Sequence, residues 1–414
     1  MRKLKVATIV FLAGTGVCLC ALLALALSGG GMWFGMGRNG NAGAEGAYRE
    51  GSGIGGYTLV LEKEVAPEGI SSLKVDYGMN SNDVYFYQGE GESVVVREYM
   101  NFTPNEKQIS SVEEKDGGLL IKGARRNSFG FFFVHTRDAY TEIYLPAGFI
   151  EQLENVNVKT VSGEILSDIP FVAKKAFSFS STSGDICFPE VKAGEVQASS
   201  TSGNIRLETL LAEKISASTT SGDMEMGHTE GNVKISSTSG NVILEWVSGD
   251  ISASTTSGDI SMGEVDGDMN ISSTSGIVRL REGKGSFDGD TVSGDIRLET
   301  LEGAFQMNTT SGNVTLSSGR GWGGAETVSG DVKLFLGSLE GDITVSTTSG
   351  NVDFLMPETA SFTLNFDSTS GDCTTFFDEQ LRFNKKGNQA EGQYGSGENA
   401  VRVSTLSGDL RITK

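Results

Sequence analysis

The chain has 414 residues, 56 of them Gly and only 6 Pro, and a formal charge of −20. Ordinary usage is about 7% Gly, so this much Gly with so little Pro, set among alternating Val, Ile, Leu and Phe, marks tight turns between short strands and excludes a disordered chain. The acidity excludes nucleic acid as a partner, because phosphate backbones would repel it.

The chain opens on MRKLK and then runs uncharged for 22 residues, Val6 to Leu27. About 20 apolar residues span a bilayer, whereas a cleavable signal peptide carries an apolar stretch of about 7–15. Residues 1–28 are therefore expected to form an uncleaved transmembrane anchor, with Ala24-Leu25-Ala26 as the cleavage site if it is a signal peptide instead. Arg2, Lys3 and Lys5 then stay in the cytoplasm and everything after about residue 28 is extracytoplasmic. Cys18 and Cys20 fall inside the run, without the small-residue pattern of a lipoprotein site. Residues 29–56 read as a Gly-rich linker with Met32, Trp33 and Phe34 at the membrane interface.

Residues 57–150 alternate apolar and polar in short runs, such as Asp83-Val-Tyr-Phe-Tyr, and read as a β-rich N-terminal lead-in and cap. Within it, Phe129, Phe131, Phe132 and Phe133 cannot all face one side of a strand. They either plug the N-terminal end of the strand array that follows or form a contact patch for a partner or membrane.

From Thr160 a repeat takes over. The Gly of a Ser-Gly pair recurs at 163, 184, 203, 222, 240, 258, 276, 294, 312, 330, 350, 371 and 408, and between 222 and 330 a Gly stands at every ninth position. Two and four residues after nearly every Gly the side chain is apolar, as in Ile260 and Met262 or Ile296 and Leu298, with a mostly polar residue between. Period-two alternation is a strand with one buried face, and the Gly is expected to supply a turn conformation that a Cβ would resist. A unit burying one face must stack on its neighbours. The expected fold is all-β: a single-stranded β-solenoid over residues 151–373, 18 residues and two strand-turn units per coil, about thirteen coils in series from Val161 to Leu410. At about 4.8 Å per coil it is about 60 Å long. Residues 374–414, with Phe376, Phe377, Leu381 and Phe383 and a final Ser-Gly-Asp turn, form a C-terminal cap.

Stacking places Ser221, Ser239, Ser257, Ser275, Ser293 and Ser311 in one column, each hydroxyl available to its neighbour or to turn backbone. The residue after each Gly alternates acid and neutral: Asp223, Asn241, Asp259, Ile277, Asp295, Asn313. Asp at every coil would stack carboxylates about 4.8 Å apart, and interleaving Asn or Ile doubles that distance. The turn triplet is thus structural rather than half of a hydrolase site. Cys187 and Cys373, many coils apart, are not expected to pair, since a disulfide needs Cα atoms within about 7 Å.

Catalysis is not expected: only His135 and His228 exist, and neither stands in a nucleophile-base pattern. The turns also lack the G-G-x-G-x-D pattern of calcium-binding nonapeptides, and no cofactor or metal is expected. Ser/Thr runs such as Thr255-Thr256-Ser257 read as solvated β-surface.

With its N-terminal anchor, the Glu142-Ile-Tyr-Leu-Pro146 lead-in, serial T-x-S-G-[DN]-[IV] turns and the ending Val403-Ser-Thr-Leu-Ser-Gly-Asp-Leu-Arg-Ile412, the chain resembles the bacterial putative adhesin family of surface β-solenoids, whose domain is of unknown function. The resemblance covers residues 57–414 and implies a membrane-anchored, extracytoplasmic, non-enzymatic protein; some relatives are linked to envelope-stress responses. It brings no catalytic or ligand residues. The expected role is a putative adhesin or surface scaffold whose partner is a surface protein, cell-wall component or glycan. The alternative is an accessory of an envelope-stress signalling system, and a glycan-active β-helix enzyme is a distant third.

Overall fold

The computed structural model describes residues 56–78, 80–124 and 138–414. The expected anchor, the linker up to residue 55, His135 and the four phenylalanines Phe129, Phe131, Phe132 and Phe133 lie outside the described residues. Among those described, no helix is long and apolar enough to cross a membrane. Among the described residues thirty strands join one continuous sheet, because long strands such as Ile205–Ser218 run round a corner from one flank of the coil to the other.

Eleven successive coils, from the turn at Gly163 to the turn at Gly350, form a parallel β-solenoid of about 19 residues per coil. Between Gly222 and Gly330 the stride is the expected 18, as in Val242↔Ile260 and Ile260↔Val278. Longer strides on either side raise the mean.

The expectation of thirteen coils in series is corrected at the C-terminal end. The coil of Gly350 is covered not by the next in sequence but by the last: Ile343 pairs with Val401 and Val352 with Leu410. Strand Phe362–Ser368 then lies outside Asn399–Ser407, and Cys373–Thr375 outside Leu410–Thr413. The N-terminal end is built the same way. Strands Ser72–Tyr77 and Asn82–Gln88 form an inner coil under Asn155–Thr160 and Ile165–Ser167. Gly118–Lys122 and Ala139–Leu145 form the coil outside it.

Antiparallel strands then close both ends. Val94–Met100 covers Ala139–Leu145 and Thr58–Val65 covers Val94–Met100, while Gln389–Tyr394 covers Phe362–Ser368. A parallel stack would otherwise end on a row of unpaired N–H and C=O groups.

The two classes of Gly do different work. Gly231, Gly249, Gly267, Gly285, Gly303 and Gly321 have φ between 121° and 157°, as expected of a turn that resists Cβ. The Ser-Gly glycines are not in that region, which corrects the expectation for them. They are Gly because the coils touch there: a Cβ on Gly258 would lie 2.0 Å from the carbonyl oxygen of Gly240, and one on Gly184 1.9 Å from that of Gly163. The ladder runs from the Asn82 carbonyl through Gly163 to Gly350, then Gly408 and Gly371.

The core is aromatic near the N-terminal end, where Phe86, Phe171, Phe177, Phe179 and Phe188 pack edge-on and tilted, and aliphatic through the middle coils. Beneath the N-terminal cap a buried polar group replaces apolar packing. The Glu98 carboxyl accepts from Ser110 N–H at 2.9 Å, Ser110 Oγ at 2.6 Å and Asn82 Nδ2 at 3.2 Å, and Tyr77 OH bonds Thr141 Oγ1 at 2.6 Å. Buried polar atoms persist only when paired in this way.

Candidate interaction surface

Both turn edges are consumed by stacking. Ser221, Ser239, Ser257, Ser275, Ser293 and Ser311 do form a column, exposed to solvent. The hydroxyl that ties each turn belongs instead to the buried Ser or Thr three residues before the Gly. Thr219, Ser237, Thr255 and Ser273 accept from the N–H groups of Gly222, Gly240, Gly258 and Gly276 at 2.8–3.1 Å.

The Asp/Asn column has a role that charge spacing alone does not supply. Each side-chain oxygen accepts the backbone N–H of its counterpart in the next coil: Asn241 N–H to Asp223, Asp259 N–H to Asn241, Ile277 N–H to Asp259, Asn313 N–H to Asp295 and Asp331 N–H to Asn313, all at 2.8–3.0 Å. Asn serves as well as Asp because the position needs an acceptor. Cys187 and Cys373 are both free; burial, with Asp378 nearby, pushes the Cys373 thiol up to about 12.

What remains for function are the outward positions of the two flanks. The flank that follows the second turn carries polar, non-aromatic side chains, as in Ser216, Lys234, Ser252 and Asn270 in register. The flank that follows the Ser-Gly turn differs. At its N-terminal end the outward positions of strands Asn82–Gln88, Ala139–Leu145 and Val94–Met100 carry Tyr85, Tyr87, Tyr140, Tyr144 and Tyr99, joined by Tyr57. The register sets Tyr140 beside Tyr99 and Tyr144 beside Tyr87.

The rings touch across strands. Tyr99 stacks on Tyr140 at 4.7 Å and 12°, Tyr57 meets Tyr140 edge-on at 5.2 Å, and Tyr87 tilts on Tyr144 at 5.4 Å. The Arg97 guanidinium lies 5.1 Å over Tyr144 and pairs with Glu62 at 2.9 Å. Tyr144 OH donates to Glu142 at 3.0 Å. Burial raises all six hydroxyls, Tyr87 and Tyr140 to about 12; nearby acids add to it, Glu142 for Tyr87, Tyr99, Tyr140 and Tyr144, Asp83 and Glu164 for Tyr85, and Asp138 and Asp83 for Tyr57. They stay protonated near neutrality, so the face offers rigid aromatic area with hydrogen-bonding tips. Tyr and Arg are the residues enriched at protein contact surfaces. Sequence reasoning points to the Phe129–Phe133 stretch, outside the described residues, and passes over the tyrosines.

The class this defines is a closed-ended, repeat-built β-solenoid scaffold with one aromatic flank. A family model described as Toastrack DUF4097 matches residues 70–302 and 249–413, and the chain belongs to that family. This agrees with the resemblance read from the serial turns. No match is found among curated proteins. Among solved structures the chain is similar to a putative adhesin from Parabacteroides distasonis ATCC 8503, at 13% identity and TM-score 0.25, covering 87% of this chain and 98% of that one. A putative cell adhesion protein from Clostridium sporogenes ATCC 15579 matches at 10% identity and TM-score 0.19, covering 86% and 99%. A putative lipid binding protein from Parabacteroides distasonis ATCC 8503 matches at 14% identity and TM-score 0.19, covering 87% and 98%. Likeness at this level carries no inference about activity.

Proposed function

We propose that the chain is a non-enzymatic surface scaffold of adhesive type, anchored through Val6–Leu27 with the solenoid outside the membrane, and that its tyrosine face makes the contact. The supporting observation is the convergence of six tyrosines and Arg97 on one outward sheet surface. Outward positions in this fold are free of structural duty, and elsewhere on the solenoid they carry mostly Ser, Asn, Lys and acids. The partner is a cell-wall component, glycan or surface protein that offers flat area and hydrogen-bond acceptors.

The immobilised chain should retain intact cells or isolated cell wall, and Tyr85→Ala combined with Tyr140→Ala should weaken retention by about thirtyfold, the equivalent of one hot spot of about 2 kcal/mol. Equal retention by the double variant, or none by the native chain, overturns the assignment.

A further inference from the structure

A second feature lies on the same flank, several coils along. In each middle coil the alternation breaks once, so that two consecutive residues point outward between buried ones: Gly227 and His228, Glu245 and Trp246, Gly263 and Glu264, Arg281 and Glu282. His228, Trp246 and Glu264 stand in register. The Trp246 indole stacks on the His228 imidazole, centroids 4.2 Å apart and planes 4° from parallel.

On the side of Trp246 away from His228 the surface opens into a groove of about 560 Å³, within the range of about 300–1,000 Å³ typical of ligand sites. It is lined by Ile243, Trp246 and Met262, with Ser261, Glu245, Glu264 and Arg281 among its polar lining residues. Ile243 is 41% exposed and adds apolar surface beside the indole. Gly263 lines the groove without a side chain, between Glu245 one coil below and Arg281 one coil above, and a Cβ at 263 would sit 2.2 Å from the Glu245 carbonyl oxygen.

We propose that this groove binds a single pyranose ring of gluco configuration, with its face of axial C–H groups on Trp246 and its equatorial hydroxyls directed at the rim. The chemistry of the rim selects the ligand. Glu264 and Arg281 neutralise each other at 2.8 Å, so with Glu245 the rim offers donors and acceptors in one place and a single unpaired carboxylate. Hydroxyl groups, which both donate and accept, match such a rim; an alkylammonium group would call for several uncompensated carboxylates around the ring, and Glu245 alone is unpaired here. His228 backs the indole and is a positioning residue. The proposal stands apart from the tyrosine face and does not need it.

The test uses the full chain, purified in a non-glycosidic detergent, with methyl β-glucoside, methyl β-N-acetylglucosaminide and their β-1,4 trisaccharides as probes and tetramethylammonium as the competing class. Saturation-transfer NMR should show transfer from the protein to the axial C–H protons of a pyranose. Trp246→Ala should raise the dissociation constant about tenfold or more. Arg281→Ala, an exposed change that spares the fold, should weaken binding as well, and Trp322→Ala, in a different coil, should leave it unchanged. Absence of transfer to every saccharide at millimolar concentration overturns the proposal. So does preferential binding of tetramethylammonium, or saccharide binding that survives both Trp246→Ala and Arg281→Ala in folded protein.

Discussion

Three substitutions within one turn, Thr255→Ala, Ser257→Ala and Gly258→Ala, separate the physical roles in the T-x-S-G repeat. The Gly258 N–H donates to Thr255 Oγ1 at 3.1 Å, and Thr255 is 93% buried, since only 7% of its surface is exposed. Losing that acceptor should cost about 1 kcal/mol for the bond, with up to about 2 more if the N–H is left unpaired. Ser257 is exposed, and its loss should stay within about 0.5 kcal/mol. Gly258 is the severe case. A new Cβ would lie 2.0 Å from the Gly240 oxygen and 2.6 Å from its carbon, both backbone atoms that no rotamer change can move. Relieving the clash means parting two coils by about 1 Å, and overpacking of this kind costs about 1–3 kcal/mol or more. Alanine's gain of about 0.4–1 kcal/mol in the unfolded chain does not offset that. A solenoid need not unfold in one step, so the measurement is amide exchange around the coil, read with the denaturation midpoint. The expected order of loss is Gly258, Thr255, Ser257. A Gly258→Ala protein with native exchange in the neighbouring coils would refute the close-contact account of the ladder.

Thr229 is fully buried in a column between Leu210 and Val247, and its hydroxyl has no partner. Thr229→Val should therefore stabilise by about 1 kcal/mol, and a lower midpoint in urea would contradict this. Glu98→Ala strips acceptors from Ser110 and Asn82 in the N-terminal cap and should cost about 3 kcal/mol or more, seen as accelerated exchange in strands Val94–Met100 and Ala139–Leu145. Deleting residues 399–414 removes a coil paired on both edges, so the shortened protein should associate through the bared edge of Val332–Ser349, detectable by light scattering. Cys373, with its thiol raised to about 12 by burial and Asp378, is almost entirely protonated at pH 8. Its alkylation, followed by peptide mass spectrometry, should be slow at pH 8, rise steeply toward pH 11 in folded protein, and become fast at pH 8 on unfolding.

The nine-residue period makes the strands, the two turn edges and the inward positions legible, because each follows from local alternation and a Gly. The ends are not legible in the same way. Asn82 stands where the ladder elsewhere has Gly, so the first coils carry no Ser-Gly signal, and their place depends on pairings such as Leu73↔Val156. At the other end Gly408 looks like the last rung because it is last in sequence. A parallel strand's pattern says which face is buried and not which strand lies beside it. The tyrosine face shows the same limit: Tyr57, Tyr85, Tyr99 and Tyr140 come from distant segments, and only the register brings them together. For His228 and Trp246 the signal is present, since they are 18 residues apart, one coil in that part of the repeat.

The division of labour within a coil explains why both proposed contact sites fall on outward positions of a flank. Inward positions must be apolar or hydroxyl-bearing, the Ser-Gly edge must carry Gly and an acceptor, and the other edge favours Gly at positive φ. Only outward positions are free, and on the flank after the Ser-Gly turn they run in one register from Tyr85 through Leu166, Cys187, Arg206 and Glu225 to Ile243. That path crosses five coils, about 24 Å at about 4.8 Å each. The tyrosine face and the Trp246 groove thus share a rigid ruler with fixed spacing. A polymeric ligand that meets both sites gains from the high effective concentration of the second once the first is engaged, without a tight contact at either. In a stack of this kind the number of coils between two sites sets their distance, so on the proposed reading coil number selects which repeating polymer would fit.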